Sequence, residues 1–202
     1  MERLRILETH HDASTKMSLY KNTYRIESAR LKEWDYSSPW WYYITINTKD
    51  HREWFGKIMK EKMILNEIGK TAEGFWKEIP NHFQNVELDY FIIMPNHLHG
   101  IIIINCTRRD VACNVSTIQN NISPMQNISP KKGSLAVIIR SFKSAVAKAA
   151  HESGLKHFAW QLRFYDRIIR NEKELYNIRR YIKQNPLRWE LDKDKPENIC
   201  EL

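Results

Sequence analysis

Hydrophobic positions along this chain fall into runs whose period switches between two and about 3.6, and the switches mark the predicted elements. Trp40-Trp41-Tyr42-Tyr43-Ile44-Thr45-Ile46-Asn47-Thr48 is aromatic and β-branched almost throughout, which predicts a strand. Residues 55–65 predict a short extended pair or an irregular connection. From Asn66, a candidate N-cap, apolar residues recur at Ile68, Ala72, Phe75, Trp76 and Ile79, a helical spacing that Pro80 should end. Two β-branched runs then flank Pro95-Asn96, a pair that favours a turn and disfavours a central strand. The expectation is a tight hairpin, one strand through Phe91–Met94 and the next from His97 to Ile104.

Further on, Ser134 can cap a helix with Leu135, Ile138, Ile139, Phe142, Val146 and Ala149 along one face. Asn171 opens a last helix, with Glu174 in capping-box position and Leu175, Ile178 and Ile182 as its buried stripe. Pro186 should halt that helix and bias Asn185 away from helical geometry. Two stretches lack such patterning. Residues 1–35 are charged and weakly periodic, and read as an arm. Residues 105–132 are polar, with Gln119-Asn-Asn-Ile-Ser-Pro124 nearly repeated as Gln126-Asn-Ile-Ser-Pro130, and read as a flexible surface insertion.

Composition narrows the class. A chain of 202 residues that is 42% hydrophobic, with 7 Trp, 9 Tyr and 7 Phe, can build one core. The formal charge of +8 points to a polyanionic partner. Cys106, Cys113 and Cys200 are scattered, without a Cys-x-x-Cys, which argues for a reducing compartment and against a disulfide framework or zinc knuckle. No secretory segment opens the sequence and no apolar run is long enough to span a bilayer, so a cytoplasmic protein without a membrane partner is expected.

Chemistry enters with His97 and His99. Alternate strand residues share a face, so the two imidazoles project side by side and could hold one metal ion. Gly100 removes bulk beside them. Taken alone, the pair also fits two half-buried polar residues. Tyr181 and Asn185 lie four apart on the last helix and share a face. If that face meets the histidines, two imidazoles and the Asn185 amide oxygen would bind a divalent cation and leave positions open for a phosphodiester. Mg²⁺ or Mn²⁺, hard and oxygen-preferring, suits such a substrate. A phenol with a pKa of about 10 needs that help to attack phosphorus. Tyr181 is the preferred nucleophile because it has an amide one turn away, with Tyr165 as the competitor and Tyr176 a distant third. By itself Tyr181 also fits a structural residue beside Ile178 and Ile182. Arg140, Lys143 and Lys148 on the middle helix, and Arg163, Arg167 and Arg170 among aromatics, could line a nucleic-acid path or form a solvated face.

Assembled, the chain resembles the HUH single-tyrosine transposases, and within them the REP-associated tyrosine transposases. The matching pieces are Tyr43-Ile-Thr-Ile-Asn-Thr48, Ile93-Met-Pro-Asn-His-Leu-His-Gly100, Ser141-Phe-Lys143, Trp160-Gln161, Phe164-Tyr-Asp-Arg167 and Tyr181-Ile-Lys-Gln-Asn-Pro186. The resemblance implies an α+β fold, an antiparallel sheet with helices packed on one face in the manner of a ferredoxin-like palm. It would fill residues 36–192, interrupted by the 105–132 insertion and followed by a tail over 193–202. The resemblance also implies metal-dependent cleavage and rejoining of single-stranded or hairpin DNA, at REP-like palindromes, through a 5′-phosphotyrosine, by a monomer or homodimer. Carried over residue by residue, His97 and His99 are metal ligands, Tyr181 the nucleophile and Asn185 the third ligand, with the adjacent Gln184 as its alternative. Two rival readings stay open: a metal-dependent phosphodiesterase using water, and a non-catalytic module binding single-stranded nucleic acid.

Overall fold

The strand Trp40–Asn47 alternates so that Tyr42, Ile44 and Ile46 are fully buried on one side, while Tyr43 and Thr45 point to the other. It is an inner strand of the sheet. The computed structural model describes residues 18–20, 23–25, 34–106 and 131–191, and divides the chain into two units, 1–34 and 35–202. In the first unit, β1 (Ser18–Tyr20) and β2 (Thr23–Arg25) form a short antiparallel hairpin. The remainder of the arm, most of the 105–132 insertion, the tail over 193–202, Cys113 and Cys200 lie outside the described residues.

The second unit is built on β3 (Trp40–Asn47), β6 (Val86–Ile93), β7 (His97–Ile104) and β8 (Tyr165–Ile168), an antiparallel sheet in the order β6-β7-β3-β8. The expected α+β class with an antiparallel sheet is observed. The hairpin turns at Met94–Asn96, as Pro95-Asn96 predicted. Strand β6 runs further back than Phe91, with a bulge between Leu88 and Phe91. Strand β8 has no signal in the sequence: four residues mixing Tyr, Asp and Arg carry too little alternation to announce an edge strand. β4 (Gly56–Met59) and β5 (Lys62–Leu65) form a separate hairpin, which settles the ambiguous 55–65 segment as an extended pair.

Helix α1 (Glu67–Lys77) starts where predicted, with the Asn66 side chain accepting from Gly69 N–H at 2.9 Å. It stops before Pro80, which instead sits in the first turn of the short α2 (Ile79–His82), where its missing N–H costs nothing. Helix α3 (Leu135–Glu152) buries Leu135, Ile138, Ile139, Phe142 and Val146 as expected, and Ala150 in place of Ala149. Ser134 stands at its N-cap position without a side-chain cap bond. Trp76 of α1 meets Phe142 of α3 edge-on at 5.1 Å, on the side of the sheet that Gly100 faces.

Helix α4 (Glu172–Leu191) adds to the expected architecture by lying on the opposite side. There Ile178 and Ile182 pack with Tyr43 and Ile101. Asn171 Oδ1 accepts from Glu174 N–H at 2.9 Å, so its start is as predicted. Its end is not. The helix continues through Asn185 and Pro186 for another turn. An interior proline costs roughly 3 kcal/mol, and contacts beyond it offset that cost. Pro186 is itself buried, Trp189 packs on His97 at 5.6 Å, and Glu190 accepts from Glu61 N–H at 3.0 Å. The Tyr181–Asn185 face therefore belongs to a continuous helix and not to a frayed last turn.

Candidate active site

The β3–β7 ladder pairs Asn47 with His97, Thr45 with His99 and Tyr43 with Ile101, and β8 adds Tyr165 opposite Thr45. Pleating puts all of these side chains on the face covered by α4. His97 and His99 are 6% and 4% exposed, and their Nε2 atoms approach to 3.0 Å. The outer nitrogen of each ring is occupied. Asn96 Oδ1 lies 2.6 Å from His97 Nδ1, while Tyr43 Oη and Thr45 Oγ1 each lie 2.9 Å from His99 Nδ1. Burial, reinforced by the charge of nearby His51, pushes His97 down to about 4, against an opposing hydrogen bond from Asn185. Burial and the neighbouring His97 likewise hold His99 well below the ordinary range. Both imidazoles are thus kept neutral, the form that ligates a metal.

Helix α4 brings Tyr181 to this pair. Its ring meets His99 edge-on at 5.3 Å and Tyr43 at 6.5 Å, and the Arg188 guanidinium sits 5.4 Å from its centroid. Asn185 is buried and stands beside His97, whereas Gln184 is exposed. Tyr165 is 47% exposed and lies 6.4 Å from Tyr43; Tyr176 is 64% exposed. The Tyr43 phenol is pushed above its ordinary value by burial and by the adjacent Tyr181 and Tyr165, which Thr45 partly opposes by a hydrogen bond.

The donor set fits a divalent cation in part. Two neutral imidazoles present converging Nε2 atoms, and an amide stands beside one of them. Among the described residues no cluster of three His, Cys, Asp or Glu side chains completes a site, so a third protein ligand would be of another kind, such as the Asn185 amide. Gly100 plays a different part from the one expected. It faces away from the histidines, and its missing Cβ makes room for Trp76.

The cationic residues are dispersed. Arg140 and Lys148 are exposed on α3, although Lys148 lies 3.9 Å from Glu152, and Arg163 and Arg170 are exposed on the segment around β8. Lys143 donates to the carbonyl oxygens of Gln161 and Leu162, and burial lowers its pKa. Arg167 is paired with Glu174 at 2.6 Å. A groove of about 390 Å³ between α3 and Trp160–Phe164 includes Arg140 and Lys143. Sequence reasoning missed Tyr43, Thr45, Asn96 and His51. Period-two alternation placed Tyr43 and Thr45 on one face, but only strand pairing sets them against His99.

No protein-family model matches the chain. An uncharacterized protein of Haemophilus influenzae is 39% identical over 166 residues, which span 82% of this chain and 90% of that protein. Among solved structures, a REP-associated tyrosine transposase bound to a REP hairpin superposes with a TM-score of 0.50 at 17% identity, over 80% of this chain and 74% of that one. A putative transposase of Deinococcus radiodurans superposes at 0.42 with 13% identity, over 76% and 96% respectively, too loosely to bear on the site. No helix among the described residues is long and apolar enough to cross a membrane. The chain belongs to one family with the Haemophilus influenzae protein, and it shares its fold with the solved REP-associated tyrosine transposase.

Proposed function

We propose that the protein is a transposase-like enzyme that cuts and rejoins single-stranded DNA beside a hairpin, with Tyr181 as nucleophile and a divalent cation held by His97, His99 and Asn185. The observation that carries this reading is the edge-on approach of Tyr181 to His99 at 5.3 Å, beside two Nε2 atoms 3.0 Å apart. Mg²⁺ or Mn²⁺ at such a site would supply charge stabilisation to a phosphoryl oxygen. The protein's own groups do the rest. Tyr181 Oη forms a bond to phosphorus, and the bond from phosphorus to the 3′ oxygen breaks. The phenolic proton is balanced by the proton taken up at the departing 3′ hydroxyl. The 5′-phosphotyrosine keeps the phosphodiester energy, so the reverse attack reseals or transfers the strand without ATP. The exposed cations Arg140, Lys148, Arg163 and Arg170 suit phosphate contacts along the strand. The REP hairpin in the structural neighbour favours a hairpin substrate.

The test is incubation with end-labelled hairpin DNA carrying single-stranded flanks, in Mn²⁺. The expected result is a denaturation-resistant protein–DNA adduct that is lost in Tyr181→Phe and kept in Tyr165→Phe. Cleavage without an adduct would indicate water as nucleophile. Binding that ignores chelator, with no cut product, would indicate a non-catalytic module.

A further inference from the structure

Asn96 dictates which nitrogen of His97 carries the proton. Its Nδ2 donates to the His51 carbonyl oxygen at 3.0 Å, which turns Oδ1 towards His97 Nδ1 at 2.6 Å. An amide oxygen only accepts, so His97 holds its proton on Nδ1 and presents a lone pair at Nε2. His99 Nε2 lies 3.0 Å from His97 Nε2, and lone pairs on both atoms at this distance would repel. In this arrangement His99 is therefore protonated on Nε2, and its Nδ1 accepts. That Nδ1 faces two hydroxyls, Tyr43 Oη and Thr45 Oγ1, both at 2.9 Å and 3.2 Å from each other. A hydroxyl donates or accepts according to its rotation about the C–O bond, so the pair can satisfy either state of Nδ1.

Resting on the reading of the histidines as a cation site, we propose that Tyr43 and Thr45 form a hydroxyl relay that lets His99 exchange tautomers when a cation binds. For His99 to offer Nε2 to a cation, its proton must sit on Nδ1 instead. One proton leaves Nε2 and one arrives at Nδ1, so the ring stays neutral and the pair releases no net proton. The hydroxyl that donated to Nδ1 then turns to accept from it, and its neighbour, 3.2 Å away, reorients with it. Without them Nδ1–H would be buried and unpaired, since His99 is only 4% exposed. His97 needs no such change, because Asn96 already holds it in the ligating tautomer. Tyr43 is on this account a positioning residue, and so is Thr45.

The test uses the full chain with ¹⁵N-labelled histidine and the near-isosteric variants Tyr43→Phe, Thr45→Val and their combination. Long-range ¹H–¹⁵N spectra should show His99 as Nε2–H in chelator and as Nδ1–H after addition of Zn²⁺, used as a diamagnetic probe. The double variant should keep the Nε2–H form and a native circular-dichroism spectrum in chelator, yet bind Mn²⁺ about 10–100-fold more weakly, as happens when metal-ligating histidines lose their hydrogen-bond partners. Each single variant, keeping one hydroxyl, should be weakened less. The relay is overturned if His99 is already Nδ1–H in chelator, or if the double variant binds Mn²⁺ like the wild type while His97→Ala does not. If His97→Ala and wild type bind Mn²⁺ alike, the cation site falls, and the relay with it.

Discussion

Tyr181 lies edge-on to His99 at a ring-centroid distance of 5.3 Å, although 82 positions along the chain separate them. Helix α4 delivers the phenol by burying Ile178 and Ile182 against Tyr43 and Ile101 on one face of the sheet. The apolar stripe and the candidate nucleophile are thus parts of the same packing surface. A change that shifts the helix would therefore move Tyr181 relative to His99.

Asn185 is buried against His97, while Gln184 points to solvent. Asn185→Ala should weaken Mn²⁺ binding about tenfold or more, by analogy with other groups at metal-site histidines. Gln184→Ala should leave it unchanged. Titration calorimetry of both variants distinguishes the two positions, and a larger effect in Gln184→Ala would reverse the assignment.

Neutral buried histidines make the fold acid-sensitive. His97 is lowered from 6.5 to about 4, so between those values the unfolded chain takes up a proton that the folded chain refuses. Stability should be fully present above pH 6.5 and fall as the pH drops towards 4, by on the order of 3 kcal/mol from this residue. Urea unfolding in chelator across that range would measure it. His97→Gln should flatten the dependence, and an unaltered slope would count against His97 as its source.

A methyl group at Gly100 would lie 2.4 Å from Trp76 Cζ2. Gly100→Ala should cost about 1–3 kcal/mol, as overpacking of a filled core does, seen as a lowered melting temperature. Because Gly100 adjoins His99, Mn²⁺ affinity should fall as well.

Lys60 and Glu61 both adopt positive φ, 51° and 60°, in the two-residue turn between β4 and β5. Such a turn favours asparagine followed by glycine. The double substitution Lys60→Asn, Glu61→Gly keeps the backbone N–H that Glu190 accepts from, and should raise stability by about 1 kcal/mol. Chemical denaturation tests this, and a fall in stability would show that the wild-type side chains contribute an interaction of their own.

If DNA follows the exposed cations, neutralising Arg140, Lys148, Arg163 and Arg170 together should flatten the salt dependence of hairpin binding. The logarithmic slope should fall by up to about one unit for each phosphate that no longer meets a cation. Arg167→Ala should act mainly on stability, because Arg167 is paired with Glu174 at 2.6 Å. Affinities measured across a salt series separate the two effects.

Much of this molecule can be read along the chain, because periodicity is a local property. The alternation of Trp40–Asn47, the turn at Pro95-Asn96, the Asn66 and Asn171 caps and the shared face of His97 and His99 all follow from a few adjacent residues. The resemblance to the transposases rests on motifs of the same local kind. Tertiary structure alone decided the remainder. Strand β8 exists because β3 offers an edge to pair with, and helix α4 survives Pro186 because Trp189 and Glu190 find partners beyond it. Tyr43 and Thr45 reach His99 only through the β3–β7 register, and Gly100 is explained by a tryptophan 24 positions earlier. A local pattern specifies which face a side chain occupies. Which distant face it meets depends on long-range pairing and packing, and that is where the candidate chemistry of this protein is assembled.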